Sequence, residues 1–366
     1  MSAKPAEIKA LSGARALPPL ILVLFHFGEG HHYQNAFWYD APVAKGYLWV
    51  EFFFVLSGFI LVHVYGNRAL EYFTFLRARL ARLYPLHLFM LFYILAQVLV
   101  LRALADAGGY VSIYDQPSHP VVTFWSFVAN LFLVQAWNIL PALTWNGASW
   151  FVSVEFLLCL LFPLYRLAAQ RPWWVGAMLI ALGGTTLWGM AHFSTHGLDF
   201  TFHYGVVRGM AGFGIGVGLA MLYREAMARG WGALPEGLLT IAQTAAMLLL
   251  LDAIYRTAWA HKPEDIYVAA SMALLIFTLA FDRGVLARAL STRPVLKLGE
   301  WSYAIYIGQT AWLQLIHHLE QHWYPNVDPG TIWWIEPFAL LGVCIVWGAL
   351  LATFIEIPAN RFLRKL

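Results

Sequence analysis

The chain has 366 residues, of which 60% are apolar, 16% aromatic and 12% charged, the charged share being about half that of a soluble domain. This balance excludes an ordinary soluble globule and points to an all-α, polytopic integral membrane protein. A net charge of +3, with the basic residues scattered between apolar runs, excludes nucleic acid as a partner; the 2 cysteines, each inside an apolar run, exclude a disulfide framework.

The N-terminal stretch "MSAKPAEIKALSGAR" is polar and no small-residue cleavage signature follows it, so the first apolar run reads as a retained anchor. A hydrocarbon core about 30 Å thick needs about 20 mainly apolar residues per helix. On that basis ten spans are predicted, at 15–32, 47–66, 84–105, 149–168, 173–192, 203–222, 238–256, 267–282, 301–318 and 333–355. A further stretch, "VVTFWSFVANLFLVQAW" at 121–137, is short and carries Asn130 and Gln135. By itself it is compatible with an eleventh helix, a re-entrant segment or an interfacial helix.

Charge decides that it does not cross. With ten spans, 18 of the 23 Lys and Arg fall on one side; Lys45, Arg102, Arg256 and Lys262 fall on the other, and Arg208 lies within a span. A crossing at 121–137 would invert every later loop. The positive-inside rule makes the basic side cytoplasmic, with both termini there, as expected of a multi-pass protein of a cell inner membrane. No fixed-period repeat and no long polar stretch divides the chain, so residues 1–366 are expected to form a single transmembrane domain.

The polar residues within spans come next. Arg15 and His26 are eleven residues apart, which on one continuous helix is about 16 Å of rise and nearly one azimuth. A snorkelling interfacial arginine and a histidine bonded to a backbone carbonyl would leave the same pattern. The second span, "VEFFFVLSGFILV", carries Glu51, with Ser57 and Gly58 deeper; "ASWFVSVEFLLCL" carries Ser153 and Glu155 at comparable depth. Charges in spans are costly and face a cavity or one another, so two carboxylates and a histidine suggest a shared polar pocket. Each carboxylate alone is equally suited to pairing an arginine such as Arg208.

In "FLRARLARLYPLH", Arg77, Arg79 and Arg82 precede Pro85, which is expected to open the third span. A helix N-terminus flanked by guanidinium groups favours an anion, although basic residues at a membrane edge also serve topology and anionic lipid. Cys159 lies one turn beyond Glu155 in apolar surroundings, where a thiol is a poor nucleophile, and reads as packing. His318 and His322, beside His317, have metal-like spacing. With no deep ligand set nearby they read as surface residues, and no metal is expected.

Taken in order, these segments resemble the membrane-bound acyltransferase-3 family of acyl-coenzyme-A-dependent O-acyltransferases. Arg15 and His26 match its N-terminal Arg and His; "VEFFFVLSGF" is similar to its "VDLFFVLSGF", with Glu51 in place of Asp; "RLARLYP" resembles its arginine-rich segment; and "WFVSVEF" resembles "WSLSVEF". "VVRGMAGFGIGVG", "LGEWSYAIYIGQ" and "IEIPANRFLRK" are similar to its later motifs, so the likeness covers essentially the whole chain. Two departures stand out: Phe151 replaces a serine, and Gln309 stands where many relatives have histidine.

The resemblance implies an acyl donor, acyl-CoA and most commonly acetyl-CoA, held by Arg15, Arg77, Arg79 and Arg82. It implies a hydroxyl acceptor, commonly a sugar of an envelope or exported glycan, with lipids and secreted metabolites as alternatives. His26 would act as base, Glu51 or Glu155 would orient it, and Arg208 would stabilise oxyanion charge or pair a carboxylate. Direct attack and an acyl-histidine intermediate both stay open, as does homo-oligomerisation beside contact with membrane lipid. The rival classes are a proton-coupled transporter, for which inverted repeats are missing, and a non-catalytic sensor or scaffold.

Overall fold

The computed structural model describes residues 6–29, 37–66, 68–116, 122–258, 262–322 and 335–365. Lys4 and the side chains of Lys262 and His322 lie outside these described residues. Among the described residues the regular structure is helical, with no strand. In a hydrocarbon core each backbone polar group needs an internal partner, which a helix supplies within its own segment.

Among the described residues eight helical segments are long and apolar enough to cross a membrane: Lys9–Gly28, Gly46–Tyr65, Tyr72–Gly108, Ser149–Ala169, Trp173–Phe193, Gly205–Ala228, Glu236–Thr257 and Glu336–Leu363. They correspond to eight of the ten predicted spans. The helix at Asp265–Leu279 has 15 residues, about 22 Å, short of a core about 30 Å thick. The remaining predicted span falls within the helix Arg293–His322, which is long enough but carries Lys297, Glu300, Gln309 and Gln314. Length and apolarity by themselves thus support eight of the ten predicted spans and leave those at 267–282 and 301–318 unconfirmed.

Three further differences from the sequence reading have local causes. The first helix is not continuous: α1 (Lys9–Ala14) ends at Arg15, and α2 (Leu17–Glu29) begins with Pro18 and Pro19. Two adjacent prolines cannot donate to the carbonyls four residues back, so the chain breaks between Arg15 and the helix of His26. The third span starts earlier than Pro85. After α3 (Phe37–Ala44) and α4 (Trp49–Tyr65), α5 (Tyr72–Gly108) runs through that proline for 37 residues and ends on Gly109 in the left-handed region. Arg77, Arg79 and Arg82 therefore sit inside a helix, not ahead of its N-terminus.

The segment 121–137 forms only an eight-residue helix, α6 (Phe124–Leu131), capped reciprocally by Thr123 and Ser126. At about 12 Å it cannot cross. The Asn130 carbonyl accepts from His87 Nε2 at 2.8 Å and the Leu131 carbonyl from Tyr84 Oη at 3.0 Å. His87 lies fifteen residues along α5 from Arg102, about 22 Å, and Arg102 pairs with Asp115 at the end of α5 remote from its arginines. The segment is therefore re-entrant. It returns through irregular backbone to α7 (Ser149–Ala169), held by bonds from Gln135 Nε2 to the Ser149 carbonyl and from Ser153 Oγ to the Leu133 carbonyl. Non-helical chain at this depth persists only when such bonds satisfy it.

The remaining elements are α8 (Trp173–Phe193), α9 (Gly205–Ala228), α10 (Glu236–Thr257), α11 (Asp265–Leu279), α12 (Val285–Leu290), α13 (Arg293–His322), α14 (Glu336–Leu351) and α15 (Ile357–Leu363), the last two joined by a π-helical turn, Ala352–Glu356. Fully buried Phe52, Phe54, Phe59, Phe162 and Phe213 fill the space where α4, α7 and α9 meet. A Cβ added at Gly58 would fall on the Phe213 carbonyl, and one at Gly216 on the Val55 carbonyl. Glycine at both positions lets α4 and α9 approach backbone to backbone, as small residues do between membrane helices. One side of the molecule gathers the arginines: Arg224 bonds the Ala169 carbonyl, Arg166 the Tyr65 carbonyl, and Arg288 pairs with Glu236. Lys45–Asp265 and Arg256–Asp252 lie on the opposite side.

Candidate active site

Three cavities, linked by shared lining residues, lead from the arginine-rich side toward the opposite side. The first, about 740 Å³, is lined by Arg15, Arg82, Arg293, Lys297, Arg361 and Arg364, with Glu356 carried into it by the π-helical turn. The second is a neck of about 70 Å³ between Arg15, Arg79, Arg82, Ser57, Glu155 and Tyr306. The third, about 660 Å³, holds His26, Arg208, Trp150, His196 and His203, and shares Tyr306 with the neck.

Helix geometry explains which arginines arrive. Arg79 and Arg82 are three apart on α5 and share a face, whereas Arg77 lies about 200° from Arg79 and is exposed. Arg77 lines none of the three cavities. Arg15 closes the first helical segment and touches both the basic cavity and the neck, while His26, one proline break later, faces the third cavity. The two residues are brought to one path, but to different parts of it.

The two carboxylates also separate. Glu51 Oε1 accepts from Arg208 Nε at 2.5 Å, with both side chains fully buried. Arg208 is further fixed by bonds to the carbonyls of Phe200 at 3.1 Å and Tyr47 at 2.9 Å, and its guanidinium lies 5.7 Å from the centre of the Trp150 ring. This is a desolvated cation held over an aromatic face. Glu155 Oε1 instead accepts from Ser57 Oγ at 2.5 Å in the neck. The single shared pocket expected for His26, Glu51 and Glu155 is thus divided between an ion pair beside the third cavity and a serine–carboxylate pair in the neck.

Four buried polar atoms converge on the neck with no hydrogen-bond partner: Arg15 Nε, Arg79 Nε, Glu155 Oε2 and Tyr306 Oη. Buried polar groups are nearly always satisfied, so a cluster of exceptions lining one cavity marks a place built for a polar ligand. The departures noted in the sequence have simple placements. Phe151 lines the neck and packs edge-on against Tyr306 at 5.7 Å. Gln309 donates, but to the Tyr306 carbonyl of its own helix at 3.0 Å. Cys159 and Cys344 are both buried and unbonded. His318 is buried, contrary to the surface reading, with Nε2 3.4 Å from Tyr110 Oη. Among the described residues no group of three His, Cys, Asp or Glu side chains could hold a metal.

Residues 8–354 match the acyltransferase-3 family model, described as an acyltransferase domain. The chain belongs to that family. It is a membrane acyltransferase of the acyltransferase-3 class, and the whole of the path just described lies in the matched region apart from its rim at Glu7 and 356–364. Among curated proteins it is 29% identical to Acyltransferase MdmB of Streptomyces mycarofaciens, over 100% of this chain and 95% of that protein. It is 33% identical to Protein 2 in picA locus of Rhizobium radiobacter, over 42% of this chain and 76% of that protein. No solved structure matches this acyltransferase-3 chain.

Sequence reasoning missed several cavity residues of this acyltransferase-3 protein. Arg293, Lys297, Arg361 and Arg364 were counted only toward topology, although the last two belong to a family-like motif. Tyr306 lies inside "SYAIYI" and was available from the same source. His203 stands at the very start of the predicted span 203–222, outside any motif, and left no signal of its own.

Proposed function

We propose that this protein transfers an acyl group, most simply acetyl, from acyl-CoA entering at the arginine-rich side to a hydroxyl of a glycan reached from the opposite side. The observation that carries this reading is the shared lining of the three cavities: Arg15 and Arg82 join the first to the neck, and Tyr306 joins the neck to the third. A basic vestibule suits the coenzyme's phosphates, which bidentate guanidinium groups bind best. A neck of about 70 Å³ between two larger cavities suits a thin pantetheine arm better than a nucleotide.

In the third cavity His26 takes the proton of the acceptor hydroxyl as its oxygen bonds the acyl carbon. The carbon–sulfur bond breaks, and the imidazolium returns that proton to the coenzyme's thiolate. Arg208, held by Glu51 and three further contacts, keeps a fixed positive charge on the same cavity, where developing oxyanion charge is stabilised. Glu155 and Ser57 line the arm's route, where the unpartnered Glu155 Oε2 can accept from an amide of the arm. Rings of Phe25, Trp150 and Phe202, together with Thr201, Asp199 and His203, give the third cavity the mixed apolar and hydrogen-bonding wall that a sugar needs.

The arginine-rich side is assigned to the cytoplasm by the positive-inside rule, in a cell inner membrane. Two measurements test the whole reading. Purified protein should bind acetyl-CoA saturably, and acyl esters on envelope glycans should disappear when the gene is removed. Loss of an ester from a lipid or secreted metabolite instead would replace the acceptor, and absence of coenzyme binding would reject the mechanism. Cysteines placed beside Arg229 should be shielded from an impermeant label in intact cells, while those beside Arg256 should react.

A further inference from the structure

Three histidines line the third cavity, His26, His196 and His203, and the tautomer of the last is set by a hydrogen-bond partner. The re-entrant segment and the 194–204 connection between α8 and α9 meet at one side chain, that of Asn138. Its Oδ1 accepts from the backbone N–H of Tyr204 at 3.3 Å and lies 3.0 Å from His203 Nδ1. A backbone N–H can only donate, which identifies the shared atom as the amide oxygen. An amide oxygen can only accept, so His203 Nδ1 carries a proton. In the neutral ring, Nε2 is then left with its lone pair, in a residue that lines the same cavity as His26 and Arg208.

The junction is held against backbone preference. Asn138 has φ 66° and Tyr204 has φ 55°, both in the left-handed region. Asparagine tolerates that region, but a bulky aromatic residue there is a true outlier. Such conformations persist where the surroundings over-determine them, and they concentrate at ligand clamps. Here the backbone of the strained Tyr204 and the ring of its neighbour His203 converge on one amide oxygen, 66 positions from Tyr204 in the chain.

We propose that His203 is an acceptor-specificity residue: its Nε2 accepts a hydrogen bond from a second hydroxyl of a polyhydroxylated acceptor, while His26 engages the hydroxyl that reacts. This rests on the reading that acyl transfer occurs in the third cavity. Asn138 acts as the positioning residue, setting which ring nitrogen faces the ligand. The chemical class recognised is a vicinal diol or larger polyol, because a lone alcohol engaged by His26 would leave His203 Nε2 without a hydroxyl.

The test uses full-length protein in lipid nanodiscs, radiolabelled acetyl-CoA, and increasing amounts of envelope and culture-fluid extract from cells lacking the gene. His203→Asn keeps an N–H that can reach Asn138 Oδ1 but removes the Nε2 acceptor. The half-saturating amount of extract should rise about three- to tenfold, the effect of losing one neutral hydrogen bond, with acetyl-CoA half-saturation unchanged. His203→Ala should raise it at least as much. Periodate, which cleaves vicinal diols, should abolish the extract's ability to accept label. Wild-type acceptor saturation in His203→Asn, an equal loss in donor affinity, or an extract indifferent to periodate would each overturn the inference. A wild-type protein that transfers no label to untreated extract would instead defeat the acyl-transfer reading on which it rests.

Discussion

The two large cavities are built by opposite means. The basic vestibule is made from helix faces and helix ends, with Arg15, Arg82, Arg293 and Arg361 each projecting from regular or capping backbone. The far wall of the third cavity is made from irregular chain: the returning limb of the re-entrant segment and the 194–204 connection, which together hold four of the five non-glycine residues with positive φ among the described residues. Charge on a helix face suits a ligand whose phosphates never change, since spacing alone sets the pattern. A wall of strained loops suits a ligand whose shape must be selected, because loop geometry can be altered without disturbing the bundle.

The sharpest way to break this comparison is at the point where the two ligands would meet. His26→Ala should lower acyl transfer by about 10²- to 10⁴-fold, the usual contribution of a general base, with acetyl-CoA binding intact. Measured single-turnover rates near wild type would move the base elsewhere. Next in size is the Glu51–Arg208 pair, which lies at the wall of the third cavity and is fully buried. Arg208→Leu leaves an uncompensated carboxylate and should cost about 3–5 kcal/mol of stability, read by thermal or denaturant unfolding in detergent.

Smaller effects sharpen the donor half. Arg79→Ala and Arg82→Ala should each weaken acetyl-CoA binding by about 1.5–3 kcal/mol, partly mimicked by added salt, whereas Arg77→Ala should leave it unchanged because Arg77 points away. Equal losses at all three positions would mean that the arginines act through bulk surface charge. Smallest is Ser153→Ala, which removes the hydroxyl tying the re-entrant limb to α7 through the Leu133 carbonyl and the Ala136 N–H. It should cost about 1 kcal/mol, with local hydrogen exchange rising in 132–148 before it rises elsewhere.

The helical architecture was legible because apolar length and the segregation of arginine are local, additive properties of a sequence. The same is true of Arg15, Arg79, Arg82, Glu155, His26 and Arg208, all of which line the path. Arg77 was grouped with Arg79 by proximity in sequence, but a helix denies a shared face to residues two apart, and it lines none of the three cavities. The breaks at Pro18 and Pro19 were visible in the letters, yet Pro85, the same residue type, interrupts nothing. Whether a proline breaks or merely enters a membrane helix depends on neighbours that can satisfy the freed carbonyl. The irregular wall of the third cavity was illegible for a related reason. Asp265 gathers Lys45 Nζ, Tyr47 Oη and the Leu198 N–H at 2.7, 2.6 and 3.0 Å, across separations of 220, 218 and 67 residues. No periodicity records contacts of that kind.

The neck has an electrical consequence. Were water and ions to fill both vestibules, each side's aqueous potential would be carried inward, and the voltage across the membrane would fall over the constriction between Arg15 and Tyr306 rather than over the full bilayer thickness. A charge displaced through that field is worth about 2.3 kcal/mol for every 100 mV. Arg15, Arg79, Arg82 and Glu155 all stand within it. A donor arm that plugs the gap between them would seal an ion leak while it delivers its cargo, and a vacant protein must rely on the narrowness of the same passage to keep the membrane energised.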